Sequence, residues 1–344
     1  MKAVVFYECG EPEKIQIADV PNPKPSRGQA LVQVKACGLN YFDLQMLRGP
    51  AAEGSPSPFW SGGDIAGVIV ETGADVTRFK TGDRVIVNPS LYCGNCEFCL
   101  AGEESICENY GIIGDTIPGG LAEYIAVNES SLMHLPETLS FEEGAAVPLV
   151  FQTAWRALIS QAKIRPGEDV LILGASGGVS SAAIQIAKFA GARVFTTTSS
   201  KDKIEKAKQL GVDFCLNRND GDYWAEILRL TNGRGVDVVL ESVGAATWMK
   251  SLQSLAKGGR LVTIGRTTGR MVEMDVRLVF WSHLKILGST MANRKEFAEA
   301  MKLVFDGKLK SVIDSVYPLE QARAAFERLA AGEQFGKIII KISD

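Results

Sequence analysis

The chain has 344 residues, 46% of them hydrophobic and 22% charged, which is too long for one ordinary core and suits a globular protein of two domains. No apolar run approaches the roughly 18 residues that a membrane span requires, so a helical membrane protein is excluded. A net charge of −3 gives no electrostatic reason to expect nucleic acid or an anionic membrane as a partner, and leaves a small molecule as the expected one.

The N-terminus, MKAVVFYECGEPEK, turns acidic where a signal peptide would continue apolar, so a cytoplasmic location is expected. Short β-branched runs follow, 3-AVVF-6, 30-ALVQVKA-36, 65-IAGVIV-70 and 84-RVIV-87, separated by turns rich in Gly, Pro and Asp. They predict a mostly antiparallel β-domain over residues 1–150. From about 150 the rhythm changes. The segments 169-DVLIL-173, 193-RVFTTT-198, 212-VDFCL-216, 237-DVVLE-241, 260-RLVTIG-265 and 284-LKILGS-289 read as buried strands alternating mostly with helices. That alternation is the signature of an α/β fold with a parallel, doubly wound sheet, here over 151–290. Two amphipathic helices, 294-RKEFAEAMKLVFDG-307 and 318-PLEQARAAFERLAAG-332, precede a last strand, 337-KIIIKIS-343. Residues 291–344 are expected to return to the first domain.

Four of the seven cysteines fall within 92-YCGNCEFCLAGEESICENYG-111, where Cys93, Cys96, Cys99 and Cys107 are spaced C-x2-C-x2-C-x7-C. Such spacing closes a tetrahedral thiolate cage around one zinc ion with no position open to water or substrate, so the predicted zinc is structural. Four reduced cysteines without metal, or an iron–sulfur cluster, are the alternatives. Cys9, Cys37 and Cys215 sit in apolar contexts and read as small core residues.

The stretch 170-VLILGASGGVSSAAIQIAKFAG-191 is an apolar strand, a glycine-rich turn and a helix with small residues on its first turns. Free N–H groups and the positive end of the helix dipole hold a pyrophosphate there without a charged side chain. Gly174, Ser176, Gly177, Gly178 and Val179 are the predicted contacts, with Ser180 where the usual fingerprint has its last glycine. A free ribose hydroxyl is usually bound by an acid at the tip of the next strand. Here that strand ends 196-TTTSSKDK-203, and Ser199, Ser200 and Lys203, joined by Arg218, suit a 2′-phosphate instead. The cofactor expected is NADPH rather than NADH. The alternative for Lys203 is a solvated face of a helix.

These motifs, together with 35-KACGLNYFD-43, 62-GGDIAGVIVETG-73, 81-TGDRV-85 and 335-FGKIIIKI-342, resemble the medium-chain dehydrogenase/reductase family over essentially the whole chain. That family includes zinc alcohol dehydrogenases and zeta-crystallin-like quinone reductases. The resemblance implies a GroES-like catalytic domain made from both chain ends, a Rossmann domain between them, and a homodimer or homotetramer. It also implies where a catalytic zinc would bind, and each of its main ligands is changed. Asn40 stands in the GLNYFD segment, Gly63 replaces the histidine, and Leu149 or a neighbour replaces the second cysteine, while Asp64 keeps the adjoining acid. His134 and His283 lie far from these motifs and read as surface or packing residues. Cys37 is the one substitute ligand in the neighbourhood.

A site without that metal suits hydride addition to an enone or quinone, whose negative charge spreads onto an oxygen that hydrogen-bond donors stabilise. The amide of Asn40 is the expected donor, unless it only caps its own loop. Asp43 and Asp64 are expected to orient the site or to pair with basic groups elsewhere, and Tyr41 and Tyr92 are available as proton donors. Gln45 and Ala51 stand where quinone reductases often carry aromatic residues. The expected activity is therefore NADPH-dependent reduction of a conjugated carbonyl compound. A zinc-dependent alcohol or aldehyde dehydrogenase and a non-catalytic, crystallin-like NADPH-binding protein are the alternatives.

Overall fold

The computed structural model describes residues 1–49 and 58–343. Its strands run in chain order as β1 (Lys2–Val5), β2 (Gln16–Asp19), β3 (Gln29–Leu39), β4 (Asp64–Thr72), β5 (Arg84–Val87), β6 (Ser90–Leu91), β7 (Gly111–Ile112), β8 (Tyr124–Asn128) and β9 (Leu132–His134). Next come β10 (Asp169–Ile172), β11 (Arg193–Thr198), β12 (Phe214–Asn217), β13 (Val236–Glu241), β14 (Leu255–Thr263) and β15 (Lys285–Gly288), and last β16 (Ile313–Pro318) and β17 (Lys337–Lys341). Two compact units form, Met1–Leu149 with Asn293–Asp344, and Val150–Ala292.

The first unit is built around β3, which pairs antiparallel with β4, β8 and β17 in a sheet ordered β16-β17-β3-β4-β5-β9. Along 29-QALVQVKACGL-39 every second side chain is buried as far as Lys35, and from Ala36 the strand is covered on both faces. Val32, Val34, Cys37, Ile65, Ile69 and Ile338 therefore share one core. Each large side chain among them contributes roughly 1.5–3 kcal/mol on leaving water. Strand β16 is absent from the sequence reading, which starts a helix at Pro318. That proline closes β16 instead, a short helical turn covers Leu319–Gln321, and the helix proper runs Ala322–Ala330. The other C-terminal helix, Arg294–Phe305, begins at a reciprocal cap in which Glu296 N–H donates to Asn293 Oδ1 and Asn293 N–H donates to Glu296 Oε2, each at 2.8 Å.

The second unit is a six-stranded sheet in the order β12-β11-β10-β13-β14-β15, parallel throughout. All four residues of β10 are buried, Asp169 in an ion pair with Arg193 and Val170, Leu171 and Ile172 as the apolar run that a strand covered on both faces requires. Leu171, Phe195, Ile227, Val239, Leu252 and Leu261 form its core. The strand order reverses between β10 and β13, the crevice where such sheets bind ligands beyond their carboxyl ends. Among the described residues no helix is long and apolar enough to cross a membrane.

Candidate functional site

The cysteine lobe brings its four sulfurs within 4.8 Å of one another, the only such cluster of metal-binding side chains among the described residues. Cys93 and Cys99 Sγ lie 4.0 Å apart, Cys96 and Cys107 3.9 Å, and Cys93 and Cys107 3.5 Å. A tetrahedral zinc with Zn–S bonds of about 2.3 Å spaces its sulfurs by about 3.8 Å, so the tetrad fits zinc without rearrangement. Backbone N–H groups of Cys93 and Asn109 donate to Cys107 Sγ, and that of Cys96 donates to Cys93 Sγ. The N–H groups of Asn95 and Cys96 lower the Cys93 thiol to about 6, and burial pushes Cys99 up to about 12. The lobe is anchored by Arg294, whose guanidinium lies over the Tyr92 ring at 4.6 Å and pairs with Glu104 at 3.2 Å. Burial pushes the Tyr92 hydroxyl above its ordinary value.

In the second unit, Gly174 takes φ +68 after β10 and Gly177 caps the helix Gly178–Phe189. The N–H groups that open this helix, those of Gly178 and Val179 among them, have no acceptor one turn back. Ser180, in the place of the expected third glycine, donates its hydroxyl to Leu173 O at 2.8 Å and so ties helix to strand. Lys203 Nζ lies 3.5 Å from Ser176 Oγ, which joins the glycine turn to the tip of β11. Ser200 caps the helix Lys201–Gln209, accepting from Lys203 N–H at 3.4 Å. The backbone N–H of Arg218 donates to Thr198 O at 2.8 Å and its side chain is exposed, while Ser199 O accepts from Asn219 Nδ2 at 3.0 Å. The predicted nucleotide residues thus lie at the carboxyl ends of β10 and β11, with Arg218 at that of β12, and they fit a dinucleotide.

A third constellation lies in the first unit, where β3 ends and β4 begins. The backbone N–H of Asn40 donates to Asp43 Oδ2 at 2.6 Å, and Gly62 N–H donates to Asp43 Oδ1 at 2.9 Å. Asp43 therefore ties the start of the helix Tyr41–Arg48 to the loop before β4. Burial raises its carboxyl above the ordinary value, and the Asn40 N–H and the Lys337 charge pull it partly back. Asp64 Oδ1 accepts from Leu149 N–H at 2.6 Å, and its Oδ2 accepts from Asn40 Nδ2 at 2.9 Å and from Lys337 Nζ at 2.7 Å.

The sequence reading missed Lys337. Its ammonium donates to Leu39 O, Asn40 Oδ1 and Asp64 Oδ2, each at 2.7 Å, so its three hydrogens are all used. The side chain is 2% exposed and that of Asp64 is 0% exposed. Strand pairing explains how it arrives there. Ile338 lies opposite Leu39 in the antiparallel pair, so the preceding residue falls beside Asn40. Gly336 makes the turn into β17 at φ +98, where an added Cβ would stand 2.2 Å from Val312 O. At Gly38 a Cβ would stand 2.2 Å from Ala145 O and 3.1 Å from Lys337 Cε, so only glycine fits beside the lysine. A charged residue between Gly336 and three isoleucines, on a strand buried from its first residue, was the available signal. Its partners lie 273 and 297 residues away along the chain, beyond any spacing argument.

Lysine can only donate, so the atom of Asn40 facing it is Oδ1, and Nδ2 is turned toward Asp64. The amide expected to await a substrate is therefore held by protein on one N–H. Its other contact, Gly38 O at 3.4 Å, is longer than a normal bond. An added Cβ at Gly63 would lie 3.2 Å from Ile113 O and 3.7 Å from Leu149 Cδ1, and Asn40 and Leu149 both bond the neighbouring Asp64. Tyr41 is half-buried against the core, and Ala51 lies outside the described residues. Cys37 is fully buried, and burial, reinforced by Asp43 and Asp64, raises its thiol well above the ordinary value. Cys9 and Cys215, expected in the core, are only half-buried, Cys215 because β12 is the edge strand of its sheet. His134 and His283 are exposed, the His134 ring lying tilted by 31° against Phe79 with the centroids 4.5 Å apart.

A Rossmann sheet joined to a mostly antiparallel β-domain with a four-cysteine lobe defines a two-domain oxidoreductase of the nicotinamide-dependent class. Comparison with known proteins identifies which one. The sequence profile of the alcohol dehydrogenase GroES-like domain matches residues 26–137, and that of the zinc-binding dehydrogenases matches 178–306. An alcohol dehydrogenase of Geobacillus stearothermophilus is 34% identical over 99% of this chain and 100% of its own. The human quinone oxidoreductase is 32% identical over 99% of this chain and 97% of its own. A crystal structure of an NAD-dependent alcohol dehydrogenase superposes with a TM-score of 0.95 at 41% identity, covering 100% of both chains. The chain belongs to the zinc-type medium-chain dehydrogenase/reductase family and is an NAD(P)H-dependent oxidoreductase.

Proposed function

We propose that this protein is an NADPH-dependent reductase of conjugated carbonyl compounds that carries a structural zinc and no catalytic one. The observation that carries the reading is the ammonium of Lys337, 2.7 Å from both Asp64 Oδ2 and Asn40 Oδ1. A divalent ion needs three or four N, O or S donors. The positions offer one carboxylate already neutralised by a cation, one amide oxygen facing that cation, a glycine and a leucine. Those residues do not fit a catalytic zinc.

When bound, the nicotinamide supplies the hydride. Negative charge then develops on the carbonyl oxygen of the substrate, and the weakly held N–H of Asn40 is the donor that stabilises it. Tyr41 or water returns a proton to the adjacent carbon. Ser199, Ser200, Lys203 and Arg218 favour a 2′-phosphate over a free hydroxyl. The reading includes self-association as a homodimer or homotetramer. Strand β15 ends its sheet, and Val276, Phe280 and Trp281 are 63%, 62% and 67% exposed.

A second reading, an NAD-dependent alcohol dehydrogenase, is favoured by the name of the 41% identical structure. Initial rates with NADPH against enones, quinones and aldehydes, set beside rates with NAD⁺ and alcohols, separate the two. Asn40→Ala is expected to slow enone reduction by about ten- to a thousandfold. Faster turnover of NAD⁺ with alcohols than of NADPH with any enone would reverse the assignment.

A further inference from the structure

We infer that Lys337 is a positioning residue of the reaction, whose ammonium pins and polarises the Asn40 carboxamide so that its second N–H is presented to the substrate oxygen. This rests on the reading of Asn40 as the oxyanion donor. The carboxamide has two hydrogens and one oxygen to place. Lys337 takes the oxygen at 2.7 Å, and Asp64 takes one hydrogen at 2.9 Å. With both ends fixed the amide cannot rotate, and only the hydrogen near Gly38 O, at 3.4 Å, can be exchanged for another acceptor. Asn40 is 8% exposed, so the group is almost wholly buried yet not sealed.

Charge adds to orientation. A cation on the carbonyl oxygen of an amide draws electron density from its nitrogen and makes the N–H a stronger donor, the cooperative effect expected of linked bonds in a low-dielectric interior. Asp64 cancels the ammonium, so the network brings no net charge into the core. The backbone carbonyl of Leu39 takes the third lysine hydrogen and fixes the ammonium to the strand that carries Asn40.

The test uses the intact, zinc-loaded enzyme and four forms: wild type, Lys337→Met, Asp64→Asn, and Lys337→Met with Asp64→Asn. The double variant removes both buried charges and is expected to fold when the single one does not. If Lys337 serves only to neutralise Asp64, the double variant turns over no more slowly than Asp64→Asn alone, which keeps the ammonium on Asn40 Oδ1. If it positions Asn40, kcat of the double variant for an enone such as cyclohexenone stays about tenfold or more below that of Asp64→Asn, while KM for NADPH changes by less than about threefold. A crystal structure of the double variant is then expected to show the Asn40 carboxamide rotated or in two orientations. A double variant with the kcat of Asp64→Asn and the carboxamide unmoved would overturn the inference. Should the wild-type enzyme reduce no enone, the functional reading fails. The orientation of Asn40 in the two crystal structures then decides alone, an unmoved amide overturning the role and a rotated one supporting it.

Discussion

Lys337→Met is expected to destabilise the first unit by about 3–5 kcal/mol, the cost of leaving a buried charge without its partner. Methionine keeps most of the aliphatic stem, so little of this arises from packing. The substitution removes three hydrogen bonds of 2.7 Å and strips Asp64, 0% exposed, of the cation that faces it. Asp64 retains the Leu149 and Asn40 donors, which soften the loss without cancelling the charge. Adding Asp64→Asn is expected to bring the protein back to within about 1–2 kcal/mol of wild type, because the two members of the buried pair are then removed together and neither charge is left without its partner. Hydrogen exchange at the amides of Cys37–Leu39 and Ile338–Ile340 reads this unit alone, through the paired strands β3 and β17. At about 1.4 kcal/mol per tenfold, protection in the single variant should fall by roughly two to four decades. A single variant within about 1 kcal/mol of wild type would refute the reasoning, since the ammonium would then not be the counter-charge of Asp64.

Cys99→Ser is expected to abolish retention of zinc and to lower thermal stability before it lowers kcat, which metal analysis and parallel activity assays would check. Lys203→Glu should weaken NADPH far more than NADH. Equal losses in a binding titration would remove the 2′-phosphate assignment. Trp281→Glu should shift the protein toward monomer in light scattering if the exposed face beside β15 joins two copies, and an unchanged mass would show that it does not.

Most of the architecture was legible because it depends on local patterns. The six parallel strands announce themselves as β-branched runs, the glycine turn as a strand-to-helix break, and the zinc lobe as four closely spaced cysteines. Strand β12 emerges two residues later than 212-VDFCL-216 suggests, because Val212 and Asp213 belong to the turn before it. Strand β16 escaped because its six residues are only partly buried and give no strong alternation. The polar site was half legible. Asn40, Asp43 and Asp64 were found, but the group that orders them was not. Only the register between the last strand and the third brings Lys337 to Asn40, and that register is a property of the folded sheet.

The most direct test is to count and locate zinc in the purified enzyme, by elemental analysis and by anomalous scattering from crystals at the zinc edge. One ion per chain, held by Cys93, Cys96, Cys99 and Cys107, is the predicted result, with the ammonium of Lys337 between Asn40 and Asp64. A second ion bound beside Asn40 and Asp64, with Lys337 displaced, would contradict the account.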